Sequence, residues 1–154
     1  MYGVERWRIN VLIRTLAVRH RTCAAVGLGR IGLYPGQETV LLALDRFGPM
    51  TQRQLVEWLG IEPPTLSSIA GKLEAGGFIV RSPSPQDRRA TIVELTEKGR
   101  DLLPAIREVM AELAELSLEG IDEETAQVMM RGMLQAIRNL EGRCERDRCE
   151  PRSS

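Results

Sequence analysis

Residues 63–99 read PPTLSSIAGKLEAGGFIVRSPSPQDRRATIVELTEKG, and this stretch decides the fold. Its first third predicts a helix over 63–75, because proline suits a first helical turn and a Gly-Gly pair ends the apolar periodicity. Two apolar runs follow, at 78–80 and 90–95, and a polar loop with two prolines separates them. Runs of this kind predict a β-hairpin with a long tip.

The predicted helix divides into two faces. Leu66, Ile69 and Leu73 recur at three- and four-residue spacing and form the side that faces the core. The outward residues are small, hydroxylated or cationic, and such side chains can reach base edges or phosphates in a duplex groove. They are Pro64, Thr65, Ser67, Ser68 and Lys72. Because this face has no Arg, Asn or Gln, we expect little bidentate base readout, and a merely solvated face is the alternative.

The hairpin tip carries Asp87, Arg88 and Arg89 where the second strand begins. A guanidinium on a stiff hairpin can enter a narrow minor groove, where the negative potential is enhanced. Asp87 can hold one arginine in position through a charge-assisted pair. Beside the two-faced helix, the tip favours double-stranded DNA as a partner over a simple exposed salt bridge.

Helices are predicted on both sides of this stretch. The first, over 4–28, is apolar on two sides and ends at the glycine-rich segment that starts at Gly27; its second apolar side indicates a partner. The others begin at Pro35, at a Thr51 cap, at a Thr96 cap with Pro104 inside the helix, and at an Asp122 cap. Helix, helix and hairpin in this order predict a mainly α fold, a winged helix–turn–helix with a small β-hairpin wing.

Composition limits the classes of function that we expect for this protein. The 154 residues carry no net charge, but residues 1–50 sum to +4 and residues 101–154 to −5, so a basic face and an acidic end can coexist. No apolar run reaches the roughly 18 residues of a membrane span, and three cysteines without a secretory signal indicate the cytoplasm. With one His, no nucleophile elbow and no glycine-rich phosphate loop, we expect neither catalysis nor a cofactor, and no metal site beyond an incomplete His20–Cys23 pair.

The quoted stretch resembles the core of MarR-family transcriptional regulators. That family combines a recognition helix ending in Leu-Glu-x-x-Gly, a strand ending in Arg, a wing with Asp-x-Arg, and a strand running into Leu-Thr-x-x-Gly. The matching positions here are Leu73, Glu74, Gly77, Arg81, Asp87, Arg89, Leu95, Thr96 and Gly99. Through the order of its helices, the resemblance extends over residues 4–141.

The resemblance implies one MarR-like domain over 1–154, with dimerisation helices at 1–30 and 100–142 and a DNA-binding lobe at 33–99. The tail is charged and lacks helical periodicity, so we expect disorder over 143–154. It implies a homodimer that represses nearby genes from a pseudo-palindromic operator. Arg89 would enter the minor groove, with Arg81, Asp87 and Arg88 as further DNA-binding residues of the wing. It also implies release by a small apolar or aromatic effector, for which we expect a cleft lined by Trp7, Val11, Tyr34 and Trp58.

Two other functions stay open on the same fold. One is a thiol-based redox regulator that uses Cys23, Cys144 or Cys149. The other is a winged helix used only for protein–protein assembly. The arginine-bearing wing tip distinguishes a DNA-binding regulator from the assembly module, because an assembly module has no need of Asp87-Arg88-Arg89 at that place.

Overall fold

The structure, a computed structural model, describes residues 5–87 and 89–149, and the side chains of Arg6 and residues 142–149 are outside what it describes. The chain forms two compact units, Met1–Ala114 and Glu115–Ser154. The single-domain organisation expected from the sequence stays a prediction. The elements within the described residues are α1 Arg6–Arg30, α2 Gln37–Phe47, β1 Met50–Thr51, α3 Gln52–Leu59, α4 Pro63–Ala75, β2 Ile79–Pro83, β3 Thr91–Leu95, α5 Glu97–Leu118 and α6 Glu123–Cys149.

The three strands form one antiparallel sheet in the order β1-β3-β2. The predicted hairpin is confirmed as β2 and β3, in which Arg81 lies opposite Val93. Strand β1 was not predicted, because two residues are too short to show periodicity; Met50 of β1 pairs with Val93 from the other side. The central position of β3 leaves β2 as an edge strand, whose outer side faces α4.

The core of the first unit joins the helices to this sheet. Leu28 of α1, Leu41 of α2, Leu55 of α3 and Val93 of β3 are all fully buried. Leu66 and Leu73 of α4 pack into the same cluster. Burial of these large aliphatic side chains fixes the side of α4 that is turned away from solvent. The mainly α, winged helix–turn–helix fold predicted from the sequence is confirmed.

Two helix boundaries differ from the prediction. Helix α1 continues through Gly27 to Arg30, because Gly27 is the place where α1 approaches α5: an added Cβ would lie 2.6 Å from Cγ1 of Val109. Helix α2 begins at Gln37 rather than Pro35, since Gly36 adopts φ +101° as the residue before the helix. A positive φ of this size is readily accessible only to glycine.

Helix α5 contains a proline, and helix α6 extends beyond residue 142. Helix α5 continues through Pro104 without interruption. Helix α6 extends to Cys149, and the disordered tail expected over 143–154 stays a prediction. The segment after Gly142 is rich in Arg and Glu, which are good helix formers, and has no Gly or Pro to stop the helix. Residues 150–154 lie outside the described part of the chain. No helix within 5–87 and 89–149 is both long and apolar enough to cross a membrane.

Candidate nucleic-acid interface

Helix α4 presents the polar face that the sequence predicted. Leu66, Ala70 and Leu73 are at most 1% exposed. The five outward residues Pro64, Thr65, Ser67, Ser68 and Lys72 are all exposed. The face is therefore accessible to a large partner along the length of the helix.

The turn before α4 is set by α3. Thr51 caps α3 with a capping box: its hydroxyl oxygen accepts the Gln54 N–H at 3.1 Å, and its own N–H donates to Gln54 Oε1 at 2.8 Å. Gly60 closes α3 in the left-handed conformation at φ +63°. Pro63 then opens α4, where its missing N–H leaves no bond unmade. These local signals determine the helix–turn–helix, and the predicted role of Thr51 as the cap of α3 is confirmed.

The C-terminal end of α4 is attached to the start of α5. The Thr96 hydroxyl donates to the Gly77 carbonyl at 2.7 Å and accepts the Gly99 N–H at 3.0 Å. Lys98 Nζ donates to the Gly76 carbonyl at 2.7 Å. Thr96 therefore caps α5, as predicted, and also connects it by a hydrogen bond to the end of the recognition helix. This double role gives a physical reason for a Thr in the Leu-Thr-x-x-Gly segment.

Gly99 completes the same junction by its lack of a side chain. A Cβ at this position would overlap the carbonyl of Phe78 and lie 3.2 Å from Cδ2 of Leu95. The Phe78 carbonyl also accepts the Thr96 N–H at 3.1 Å. Only glycine allows the first turn of α5 to approach the strand this closely.

The wing tip is a closed loop rather than an open one. Ser84 N–H donates to the Ala90 carbonyl at 2.8 Å, and the Ala90 N–H donates to the Asp87 carbonyl at 2.9 Å. The Ser84 hydroxyl oxygen accepts the Gln86 N–H at 3.3 Å, and Ser84 is buried while its neighbours are exposed. The sequence analysis missed Ser84, although a serine that can accept loop N–H groups is a known turn signal.

Asp87 orients the wing arginine through the main chain. Its Oδ1 accepts the Arg89 N–H at 2.9 Å, where the sequence predicted a pair with an arginine side chain. Arg89 is exposed at the tip. The guanidinium of Arg89 therefore extends from a backbone that its neighbours hold in place. Arg88 lies outside the described residues.

Arg81 faces the recognition helix. Its Nε and Nη2 donate to Oε2 of Glu74 at 3.0 and 2.6 Å, and its main-chain N–H donates to Oε1 at 3.2 Å. The hydrogen bonds from Arg81 hold the pKa of Glu74 below its usual range, and those to Glu74 raise the pKa of Arg81. The resemblance implies Arg81 as a DNA-binding residue, which stays a prediction; in the structure Arg81 forms an ion pair that joins β2 to α4.

The four residues expected around an effector have different surroundings in the structure. Tyr34 lines an open cleft of about 590 Å³, together with Arg21 and the outward face of α4. Val11 lines a separate surface depression on α1. Trp58 packs edge to face on Phe47, at 5.4 Å between ring centroids, and Trp7 is 64% exposed on α1. The common cleft expected from the resemblance stays a prediction.

The thiols and metal ligands are sparse. Cys23 is an exposed free cysteine on α1. The side chains of Cys144 and Cys149 lie outside those described. Among the side chains that the structure describes, those of residues 5, 7–87 and 89–141, no group of three His, Cys, Asp or Glu could hold a metal ion.

The sequence of this chain matches a known protein family. The MarR family profile matches residues 31–90. The HTH-type transcriptional regulator YwoH of Bacillus subtilis is 32% identical over 93 residues, which cover 60% of this chain and 67% of YwoH. The chain belongs to the MarR family. The HTH-type transcriptional repressor NicR of Pseudomonas putida is 36% identical over 86 residues, 56% of this chain, and the match spans about half of NicR, 54% of its length.

Several solved structures have the same fold as this MarR-family chain. A probable transcriptional regulator from Pseudomonas aeruginosa superposes with a TM-score of 0.75 at 29% identity, covering 84% of this chain and 96% of that one. A mutant MarR from E. coli complexed with operator DNA gives 0.79 at 17% identity over 84% and 93% of the two chains. BpsR from Bordetella bronchiseptica, whose DNA binding is regulated by 6-hydroxynicotinic acid, gives 0.76 at 23% over 84% and 98%. At such identities the last two demonstrate the fold alone.

Proposed function

We propose that this MarR-family chain is a homodimeric, ligand-responsive repressor that binds a pseudo-palindromic DNA operator in the cytoplasm, and that it is not an enzyme. The observation that carries the proposal is the exposed polar face of α4 in the same lobe as a closed wing tip that presents Arg89. A groove-sized helix with small and hydroxylated residues suits the major groove. An arginine on a rigid tip suits the minor groove.

The affinity rests more on phosphates and groove shape than on base edges. The α4 face offers Thr65, Ser67 and Ser68 as single hydrogen-bonding groups and Lys72 as a point charge. Neither kind of group makes the bidentate contacts that discriminate bases most strongly. The names of NicR, a transcriptional repressor, and of the operator complex of MarR support duplex DNA as the partner.

A second copy of the chain is the proposed cover for two apolar surfaces. Helices α1 and α6 each expose large aliphatic side chains at helical spacing, and contiguous exposed apolar patches mark interaction sites. On α1 they include Ile9, Leu12, Ile13 and Leu16, and on α6 Met130, Met133, Leu134, Ile137 and Leu140. A dimer gives two recognition helices, which is what a pseudo-palindromic site requires.

The Tyr34 cleft is the proposed effector site. Its volume of about 590 Å³ suits a small organic molecule, and Arg21 and Lys72 line it. Lys72 Nζ lies 5.8 Å from the centroid of the Tyr34 ring. Two cations beside an aromatic ring suit an aromatic carboxylate, as does the name of BpsR, which couples DNA binding to 6-hydroxynicotinic acid. Because Thr65 and Lys72 belong to both the cleft and the α4 face, effector and duplex would compete.

Selection of duplexes from a random pool tests the DNA proposal. We expect recovery of a pseudo-palindrome with half-sites about one helical turn apart. Affinity should fall as salt rises, because phosphate contacts release counterions. Recovery of no sequence, together with no duplex binding at low salt, would favour the protein–protein assembly module instead.

Displacement of the selected duplex by 6-hydroxynicotinic acid or benzoate tests the effector site. Tyr34→Leu should weaken displacement while keeping duplex affinity, and Lys72→Ala should weaken both. Trp58→Leu is the matched control, because it removes an exposed aromatic ring that packs on Phe47 rather than in the cleft. Loss of the response in Trp58→Leu but not in Tyr34→Leu would contradict the assignment of the cleft.

A redox-sensing regulator is the second candidate, since Cys23 is exposed and free. Oxidant-driven release of the duplex that disappears in Cys23→Ser would establish it. Oxidant response that persists in Cys23→Ser but disappears when Cys144 and Cys149 are also replaced would assign it to the C-terminal thiols. No response in the wild type would exclude both.

A further inference from the structure

The strongest link between the wing and the recognition helix is a single carboxylate. Glu74 lies in the last turn of α4 and Arg81 in the middle of β2. Oε2 of Glu74 accepts both the Nε and the Nη2 of Arg81, and Oε1 accepts the main-chain N–H of the same residue. One side chain therefore holds both the guanidinium and the backbone of the strand.

The main-chain bond matters because β2 is an edge strand. Its inner side pairs with β3, and the Arg81 N–H is directed instead at Glu74. Backbone groups at a sheet edge otherwise lack a partner in the protein. The carboxylate thus extends the hydrogen bonding of the sheet onto α4 and fixes the angle at which the wing leaves the helix.

The burial of the pair fits a structural link rather than a ligand contact. The side chain of Arg81 is 27% exposed and that of Glu74 is 39% exposed. Arg53 on α3, by contrast, is 88% exposed in its pair with Glu57. A carboxylate on the DNA-facing lobe would repel phosphates on its own, and its bonds to Arg81 offset that charge.

We propose that Glu74 and Arg81 are positioning residues for operator recognition, which set the wing so that Arg89 and the α4 face reach adjacent grooves together. The proposal rests on the proposed DNA-binding function. It assigns to Arg81 no direct contact with DNA. Glu74 is then an acidic residue whose removal weakens binding to a polyanion.

The sign of that effect is the test, measured as the affinity of the full-length protein for the duplex recovered by selection. Simple electrostatics predicts that Glu74→Gln binds DNA more tightly, because a negative charge is removed. Positioning predicts at least about fivefold weaker binding, within the coupling range of residues in contact. The slope of log affinity against log salt should fall by no more than it does in Arg89→Ala, since the displaced wing carries that contact. Glu57→Gln is the matched control: it removes an acid from an exposed pair of the same lobe and should bind as the wild type does or slightly tighter.

Arg81→Met in the wild-type and Glu74→Gln backgrounds completes a double-mutant cycle. Positioning predicts a large loss in the first background and a small one in the second. A direct phosphate contact predicts equal losses in both backgrounds. If Glu74→Gln does not fold, Glu74→Asp takes its place: its shorter side chain keeps the charge, so weaker binding supports positioning and unchanged binding contradicts it.

The outcomes distinguish a failure of the DNA-binding function from a failure of the positioning role. A wild-type protein that binds no duplex at low salt overturns the DNA-binding function and the positioning role with it. A wild-type protein that binds, with Glu74→Gln as tight as Glu57→Gln, overturns the positioning role alone.

Discussion

Replacement of Gly99 by alanine measures how tightly the recognition helix is attached to α5. The added Cβ overlaps the main-chain oxygen of Phe78, and main-chain atoms cannot rotate away as a flexible side chain can. Gly99 has no positive φ, so the effect is steric and not a backbone preference. The first turn of α5 must therefore move away from the strand.

The magnitude follows from what that movement disturbs. Overpacking of a well-packed site costs about 1–3 kcal/mol. The hydrogen bonds from Gly99 N–H to Thr96 and from Thr96 N–H to Phe78 lie in the path of the shift, and each is worth about 1 kcal/mol. We expect Gly99→Ala to lower the free energy of unfolding by about 2–4 kcal/mol, a large part of the usual 5–15 kcal/mol.

Urea unfolding at a fixed protomer concentration is the appropriate assay, because the stability of a dimer depends on concentration. Gly71→Ala is the control: no atom lies within 4 Å of its added Cβ, and alanine in a helix interior should stabilise by about 0.5–1 kcal/mol. The result that would refute this reasoning is a free energy of unfolding for Gly99→Ala within about 0.5 kcal/mol of the wild-type value, at an unchanged urea slope. The contact between the first turn of α5 and the strand would then relax at no cost.

Three further results follow from the structure. Arg89→Ala should weaken binding to every duplex and reduce the salt slope by about one, as for a lost phosphate or groove contact, and an unchanged affinity would refute a wing contact. Ile137→Glu should convert the dimer to a monomer in sedimentation, because it charges an exposed apolar position of α6, and a dimer that persists would place the interface elsewhere. Hydrogen bonds from Thr125 hold the pKa of Asp122 below its usual range, so its contribution to α6 is present above about pH 4 and is lost as the pH falls through the lower folded-state pKa. Circular dichroism between pH 5 and pH 2 should show this acid-dependent loss of helix, and Asp122→Asn should reduce it; identical curves would contradict the cap.

The local elements could be predicted because their causes are local. Pro63 and the glycines after Ala75 bound α4, and the observed helix has those limits. Thr51 and Thr96 cap helices through bonds to residues three positions ahead. The two faces of α4 follow from the spacing of its leucines. These signals need no knowledge of the rest of the chain.

Distant segments decide what could not be predicted from the sequence. Gly27 reads as a helix breaker, but α1 continues through it, and its lack of a side chain allows Val109 of α5 to approach. The ion pair of Arg81 could not be predicted, because only the fold brings Glu74 of the preceding helix next to it. The surroundings of Tyr34 and Trp58 could not be predicted either, since these residues lie in separate segments whose arrangement the fold decides.

The sequence of residues 63–99 by itself determined the recognition helix, the hairpin and the position of Arg89 at the wing tip, because helix periodicity, caps and turn residues act over a few positions. Tertiary structure alone decided that Arg81 pairs with Glu74 and that Gly99 approaches Phe78. Each of these contacts depends on two segments that meet only after folding. Ser84 and Gly99 show the same division: their residue types hint at a turn or a close approach, and only the packed chain shows which carbonyl or N–H group requires them.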